Sequence, residues 1–265
     1  MTNQTRRFLT FNIHWGVGGD NVYNLERIAK VIREQTPDYV ALQEVHFYTS
    51  EFGENQAAAL AQRTSMHYFF HPVIQGTPRD QGGTGSYGNA ILTRQPIAQT
   101  KAVSLPVSTG YSLSQEPRGV CAVRTADDPF WFATTHLGCD VTGYEQCASM
   151  QPLEDFLSSL PTSTVVIGGD FNSPSALTTP RRMVRTHGWK DLWYEWGLQN
   201  GCGYFEGCTM PAWWPYQRVD YLYMKGPRLA LKDASVVRLP APYASDHNPV
   251  LSTLTIEPSQ RGTSV

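Results

Sequence analysis

Short apolar runs recur along this chain, and one after another they end on a polar residue capable of chemistry. Residues 8–13, 39–42, 90–93, 131–135, 164–167, 219–224, 234–239 and 250–256 read as strands. At or just past the ends of these runs stand Asn12, Glu44, His136, Asp170 with Asn172, and Asp220, while Asp246 with His247 precedes the last run. Between strands lie helix-like stretches. Leu25, Ile28, Ala29, Val31 and Ile32 recur at helical spacing, with Asn24 as N-cap and Pro37 past the end. Residues 141–160 hold a second helix with Leu153, Phe156, Leu157 and Leu160 on one face. Ligands of α/β sheets bind where loops converge at strand edges. One such residue is a cap or a turn former, but so many in one chain argue for a shared site.

Composition narrows the class. At 265 residues the chain can bury a full core without staples. Hydrophobic residues at 41% and aromatics at 12% exclude wholesale disorder. No Ser/Gly-rich linker or charge block divides the chain, so one domain over 1–265 is expected, with 257–265 a polar, frayed tail. A net charge of −2 advertises no nucleic-acid or membrane partner, although a local patch could still serve one. The five cysteines lack the C-x₂₋₄-C spacing of zinc sites and do not look like a disulfide framework. No signal-peptide core or membrane span is evident, so a reduced, soluble, cytoplasmic and monomeric protein is expected.

Gly83, Gly85 and Gly88 match G-x-G-x-x-G, but they precede a strand instead of following one, so the stretch reads as a flexible loop. Ser245-Asp246-His247 holds three triad residue types, yet neighbours on a turn cannot align as nucleophile, base and orienter. Gly168-Gly-Asp-Phe-Asn-Ser-Pro174 is the sharpest signal. Its glycines allow close backbone approach, and Asp170 and Asn172 are expected on one side of an extended backbone. There one could accept a proton from water while the other donates to an oxyanion. The competing reading is an Asp/Asn turn stopped by proline. Glu44 directly behind a buried strand would be costly alone, and a cation with oxygen ligands removes that cost. Asn12 offers a neutral oxygen nearby. Asp220 could orient a histidine and keep it charged against a phosphate. His14, His46, His67, His71 and His187 are read as structural or solvated.

The set Phe11-Asn-Ile, Gln43-Glu-Val, Gly88-Asn-Ala-Ile-Leu, Thr135-His-Leu, Gly169-Asp-Phe-Asn-Ser, Arg218-Val-Asp-Tyr and Ser245-Asp-His-Asn-Pro-Val resembles the endonuclease/exonuclease/phosphatase superfamily, the deoxyribonuclease I-like phosphoesterases. The resemblance runs in order from Asn12 to Val250. It implies an α+β fold: a four-layer αββα sandwich with two mixed β-sheets face to face and helices outside. It also implies Mg²⁺- or Mn²⁺-dependent hydrolysis of a phosphomono- or phosphodiester by in-line attack of water. On that resemblance Glu44 is the principal metal ligand, with Asn12 and Asp246 close by. Asp170 positions or deprotonates the water, Asn172 holds the phosphate, and His247 with Asp220 stabilises phosphoryl oxygens. His136 resembles a second histidine of the nuclease and sphingomyelinase branches, and Arg118 stands where members carry a similar Arg-Gly.

Substrate stays open between a nuclease target and a sphingomyelinase- or inositol-phosphate-like one. A catalytically silent binding domain on the same scaffold is the reading from another class, but it has no need for all these side chains. The segment 201–218 carries Trp213-Trp-Pro-Tyr216, able to stack a base or sugar, lie on lipid, or pack on its own scaffold.

Overall fold

The computed structural model describes residues 4–107, 116–139, 143–174 and 178–257. It contains strands β1 (Thr5–Asn12), β2 (Tyr39–Phe47), β3 (His67–Thr77), β4 (Asp80–Thr93), β5 (Ile97–Leu105), β6 (Arg118–Thr125), β7 (Trp131–His136), β8 (Val165–Asp170), β9 (Lys190–Asp191), β10 (Asp220–Lys225), β11 (Leu229–Val236) and β12 (Val250–Ile256). The helices are α1 (Leu25–Gln35), α2 (Gln56–Thr64), α3 (Tyr144–Ser158), α4 (Thr178–His187) and α5 (Leu192–Asn200). The strands form two mixed six-stranded sheets, ordered β11-β12-β1-β2-β4-β3 and β5-β6-β7-β8-β10-β9. With helices outside, this is a four-layer αββα sandwich of the deoxyribonuclease I-like fold.

Strand alternation builds the layers. In β1, Phe8 points between the sheets, where it stacks on Tyr39 at 5.2 Å, while Leu9 and Phe11 point outward. The inter-sheet core joins Phe8, Tyr39, Ala41 and Ile91 to Cys121, Phe132, Val166 and Leu222. Helix α1 covers the outside of the first sheet with Leu25, Ile28 and Ile32, and α3 covers the second with Met150, Leu153 and Leu157. Each such side chain, fully buried, stabilises the fold by about 1.5–3 kcal/mol. Helix α1 begins as its sequence indicates: the Asn24 side chain accepts from the amides of Glu26 and Arg27.

Each sheet has one parallel pair at its centre, β1 with β2 and β7 with β8. Parallel neighbours end on the same edge, so the polar ends of all four strands share one rim of the sandwich. Gly168 lets the sheets approach: a Cβ there would stand 2.9 Å from Thr10 Cβ and 3.2 Å from Ala41 Cβ.

Two expectations need correction. Residues 82–88 are not a loop; they lie within β4, paired with β3 and β2. Gly76, Gly82 and Gly85 have positive φ, and their irregular backbone disguises a long hairpin as a turn-rich loop. The strand expected at 234–239 is β11, Leu229–Val236, whose bulge between Leu231 and Asp233 interrupts the apolar pattern. At the start of the expected tail, the Glu257 amide donates to Arg228 O at 2.9 Å. Residues 258–265 lie outside the described residues.

Candidate active site

Register brings the strand-end residues together. In the second sheet Asp170 is paired with His136 on one side and with Asp220 on the other. The loop before β12 delivers Asp246 and His247, and the Ser245 hydroxyl pins it by donating to Asn12 O at 2.7 Å. His247 N in turn donates to Ser245 Oγ at 3.2 Å, so Ser245 is a clasp and not a nucleophile.

Glu44 reaches the rim by a backbone device. Val40, Leu42 and Val45 all belong to the outer core. Strict alternation would put Glu44 there too. A bulge between Leu42 and Val45, with Glu44 at φ 60°, inserts one extra residue and turns its carboxylate toward the rim. Asn12 Nδ2 then donates to Glu44 Oε1 at 2.9 Å and to Asp170 Oδ2 at 3.0 Å, tying the two sheets together. The Asn12 Oδ1 atom accepts from the His14 amide at 3.0 Å.

Asn172 departs from the expected extended conformation. The strand ends at Asp170, and Asn172 sits at φ 48° with its amide donating to Asp170 Oδ1 at 2.8 Å. The competing reading of an Asp/Asn turn is therefore right about the backbone. The turn swings the Asn172 amide group toward β7, where Nδ2 lies 2.9 Å from His136 Nε2 and 3.0 Å from Leu137 O.

Electrostatics separate the two histidines. His247 Nδ1 is 2.8 Å from Asp220 Oδ2, and His247 Nε2 is 3.8 Å from Asp170 Oδ2. Burial works against its charge, but Asp220, Asp170 and Asp246 together raise His247 well above the ordinary histidine value and favour its charged form. His136 goes the other way: burial, then Arg118 and His247, hold it well below that value. Its neutral form is favoured, and in that form Nε2 can accept from Asn172. Burial, reinforced by Asp220, pushes the Asp170 carboxyl up to about 7. Burial likewise raises Glu44, with Asp246 adding to it and the Asn12 hydrogen bond opposing.

All eight residues singled out for catalysis or metal binding thus meet on one rim, with Asp170 and Asn12 at the centre. Arg118 is buried nearby, paired with Glu116 at 2.9 Å. His14, read as structural or solvated, stands at the edge of this rim: its Nδ1 lies 3.1 Å from Val17 O and 3.8 Å from Asp246 Oδ1.

The donor set suits a divalent cation. Glu44, Asp170, Asp220 and Asp246 gather around His247, and the buried Asp220 Oδ1 has no hydrogen-bond partner. Such a concentration of hard oxygen atoms matches Mg²⁺ or Mn²⁺ better than softer metals. Ligand atoms of Asp170, Asp220 and His247 lie within 4.8 Å of one another. His247 is less suited, because its Nδ1 is taken up by Asp220 and the surrounding carboxylates favour its charged form, which has no free lone pair. Glu44, Asn12 and Asp246 are the better candidates.

Fold and site together define a phosphoesterase-type scaffold, and sequence comparison agrees: residues 9–247 match the model of the Endonuclease/Exonuclease/phosphatase family, to which this chain belongs. Members of this family are phosphoester hydrolases. Among solved structures, the chain is similar to an endonuclease/exonuclease/phosphatase from Beutenbergia cavernae, with a TM-score of 0.77, 23% identity, and coverage of 96% of this chain and 72% of that one. It is similar to the human Nocturnin catalytic domain with bound sulfate, at TM-score 0.68, 18% identity and 96% coverage of both chains. A mannosyl-6-phosphatase from Bacteroides thetaiotaomicron also shares the fold, at TM-score 0.69, 16% identity, and coverage of 94% of this chain and 99% of that one. No curated protein sequence matches the chain.

Proposed function

We propose that this chain is a divalent-metal-dependent phosphoesterase that hydrolyses a phosphomono- or phosphodiester by in-line attack of water. The observation that carries this reading is the His247–Asp220 contact at 2.8 Å, set beside Asp170 on a rim that also holds Glu44 and Asp246. Glu44, Asp246 and Asn12 would hold Mg²⁺ or Mn²⁺, and the bound ion supplies positive charge against a phosphoryl oxygen. Asp170 orients the attacking water and takes its proton. His247, kept charged by Asp220, faces the phosphoryl oxygens and stabilises charge that develops on them. His136 at the end of β7 and Asn172 just past β8, bonded to each other, flank the same group. A silent binding domain would gain nothing from a histidine held between three carboxylates. One structural relative is named a mannosyl-6-phosphatase, which keeps phosphomonoesters in the screen.

The test is a metal-supplemented screen over nucleotides, oligonucleotides, sugar and inositol phosphates and phospholipids. Chelator should abolish turnover, and Mg²⁺ or Mn²⁺ should restore it. The same ions should raise the melting temperature of the wild type and not of Glu44→Ala, since a ligand that binds only the folded state stabilises it. Turnover that survives chelator would refute the metal role.

A further inference from the structure

Asp220 and His247 touch, but they hang from different sheets. Asp220 is the first residue of β10, in the second sheet, while His247 stands just before β12, in the first. Their 2.8 Å contact therefore spans two layers, and a slip of either layer would lengthen it. Hydrogen bonds weaken steeply once distance and angle depart from the ideal, so the two supports must be kept in register. The Ser245 clasp does not do this. It ties the His247 loop to β1, a strand of the same sheet as β12.

Two fully buried polar residues, Thr209 and Asn248, make the missing connection. Thr209 Oγ1 accepts from the amides of Val219 and Asp220, each at 3.4 Å. Thr209 O accepts from Asn248 N at 2.8 Å and from Asn248 Nδ2 at 3.2 Å. The same Nδ2 donates to Ala212 O at 3.2 Å, and Asn248 Oδ1 accepts from Leu239 N at 2.9 Å. One residue thus bonds both to the backbone of Asp220 and to the backbone next to His247. The segment between is closed on itself: Thr209 N and Met210 N donate to Gln217 O at 2.7 and 3.0 Å, and Gln217 N donates to Met210 O at 3.0 Å. Ala212 N adds a bond to Asp246 O at 2.6 Å. The side chain of Asn248 spends both its polar atoms on backbone groups, which fixes its orientation and that of the loop it joins. The 3.4 Å contacts of Thr209 Oγ1 are long for hydrogen bonds, so the connection is firmer on the Asn248 side. Neither residue is exposed to a substrate, so any effect on catalysis passes through the pair they support.

We propose that Thr209 and Asn248 are positioning residues: they brace the two sheets so that Asp220 stays in contact with His247, and through that contact they set the rate of phosphoester hydrolysis. The catalytic half of this inference rests on the phosphoesterase reading above; the geometric half does not.

The geometric half is measured without turnover, in chelator, from the downfield NMR resonance of the His247 Nδ1 proton, assigned by its loss in Asp220→Asn. Asn248→Leu, similar in volume, should shift this resonance upfield and broaden it. Thr209→Val should do so less, and Thr209→Ser, which keeps the hydroxyl, should return it toward the wild-type position. With Mg²⁺ and bis(4-nitrophenyl) phosphate, well below the melting temperature, Asn248→Leu should lower kcat about tenfold and Thr209→Val about threefold, each with KM changed less than about twofold. Thr209→Ser should recover most of the loss. In the Asp220→Asn background Asn248→Leu should cost nothing further, because the contact it supports is already gone. An unmoved proton overturns the brace, and so does a full additional loss in the Asp220→Asn background. Should Asn248→Leu not fold, Thr209→Val decides by the same two readouts. A shifted proton with a wild-type kcat overturns the catalytic half alone. A wild type that hydrolyses no phosphoester refutes the enzyme reading, while the proton resonance still tests the brace.

Discussion

The Asp220–His247 contact is where one atom decides most. Both residues are buried, and the 2.8 Å contact favours the charged form of the histidine inside the protein. Asp220→Asn keeps the shape and removes that charge. Turnover should fall by about 10²-fold or more, the loss of one electrostatic stabiliser, while the circular-dichroism spectrum and melting temperature change little. A wild-type rate in the variant would show the pair to be structural. Glu44 poses a different residue-scale problem, since its identity says nothing about which face of the sheet it occupies. Only the extra residue at the bulge turns it to the rim.

Elements matter next, and the β3–β4 hairpin is the clearest case. Its glycine-rich half resembles a loop because glycines, not alternation, dominate the local pattern. The structure requires them for separate reasons. A Cβ on Gly85, at φ 75°, would collide with the carbonyls of Phe47 and Tyr48, whereas one on Gly82, at φ 84°, would meet nothing within 4 Å. Gly82→Ala should therefore cost only the left-handed backbone strain, about 1 kcal/mol. Gly85→Ala adds overpacking against backbone and should cost roughly 2–4 kcal/mol. Denaturant titration of the two variants measures the difference. Equal costs would mean that residues 82–88 are not held against β2.

For the whole molecule, stability depends on how the shared core treats ionisable groups. His71 lies where β3 crosses the second sheet, with its Nε2 buried and unpartnered and only 2.9 Å from where a Cβ of Gly119 would be. Burial holds it below the ordinary histidine value, opposed by a hydrogen bond with the Val103 backbone. The folded state thus resists a proton that the unfolded chain accepts. The contribution is complete above the unfolded value of about 6.5 and is lost as pH falls below it. His71→Gln, which cannot titrate, should lose less stability than the wild type between about pH 7.5 and 5. Melting temperatures across that range, read as the difference between the two proteins, test this. A constant difference would mean that His71 titrates alike in both states.

Much of this architecture is legible in the chain alone. The apolar run at 250–256 is β12 to the residue, Asn24 caps α1, and Leu153 and Leu157 mark the buried face of α3. These are local signals, because strand burial, capping and helical faces all depend on residues a few positions apart. The motifs at strand ends also resemble, in their order, those of a phosphoesterase family before any contact is known. What only the tertiary structure decides is which of them meet. Asp220 is beside Asp170 because β10 runs antiparallel to β8 in one particular register, and Asn12 bridges to Asp170 across 158 positions because two sheets pack face to face. Edge strands such as β5, mostly exposed, mix apolar with polar residues in no pattern that marks a buried strand. Register and sheet pairing are set by the sum of many distant contacts, each too weak to leave a local mark, so the chain carries the parts of the site and the fold alone assembles them.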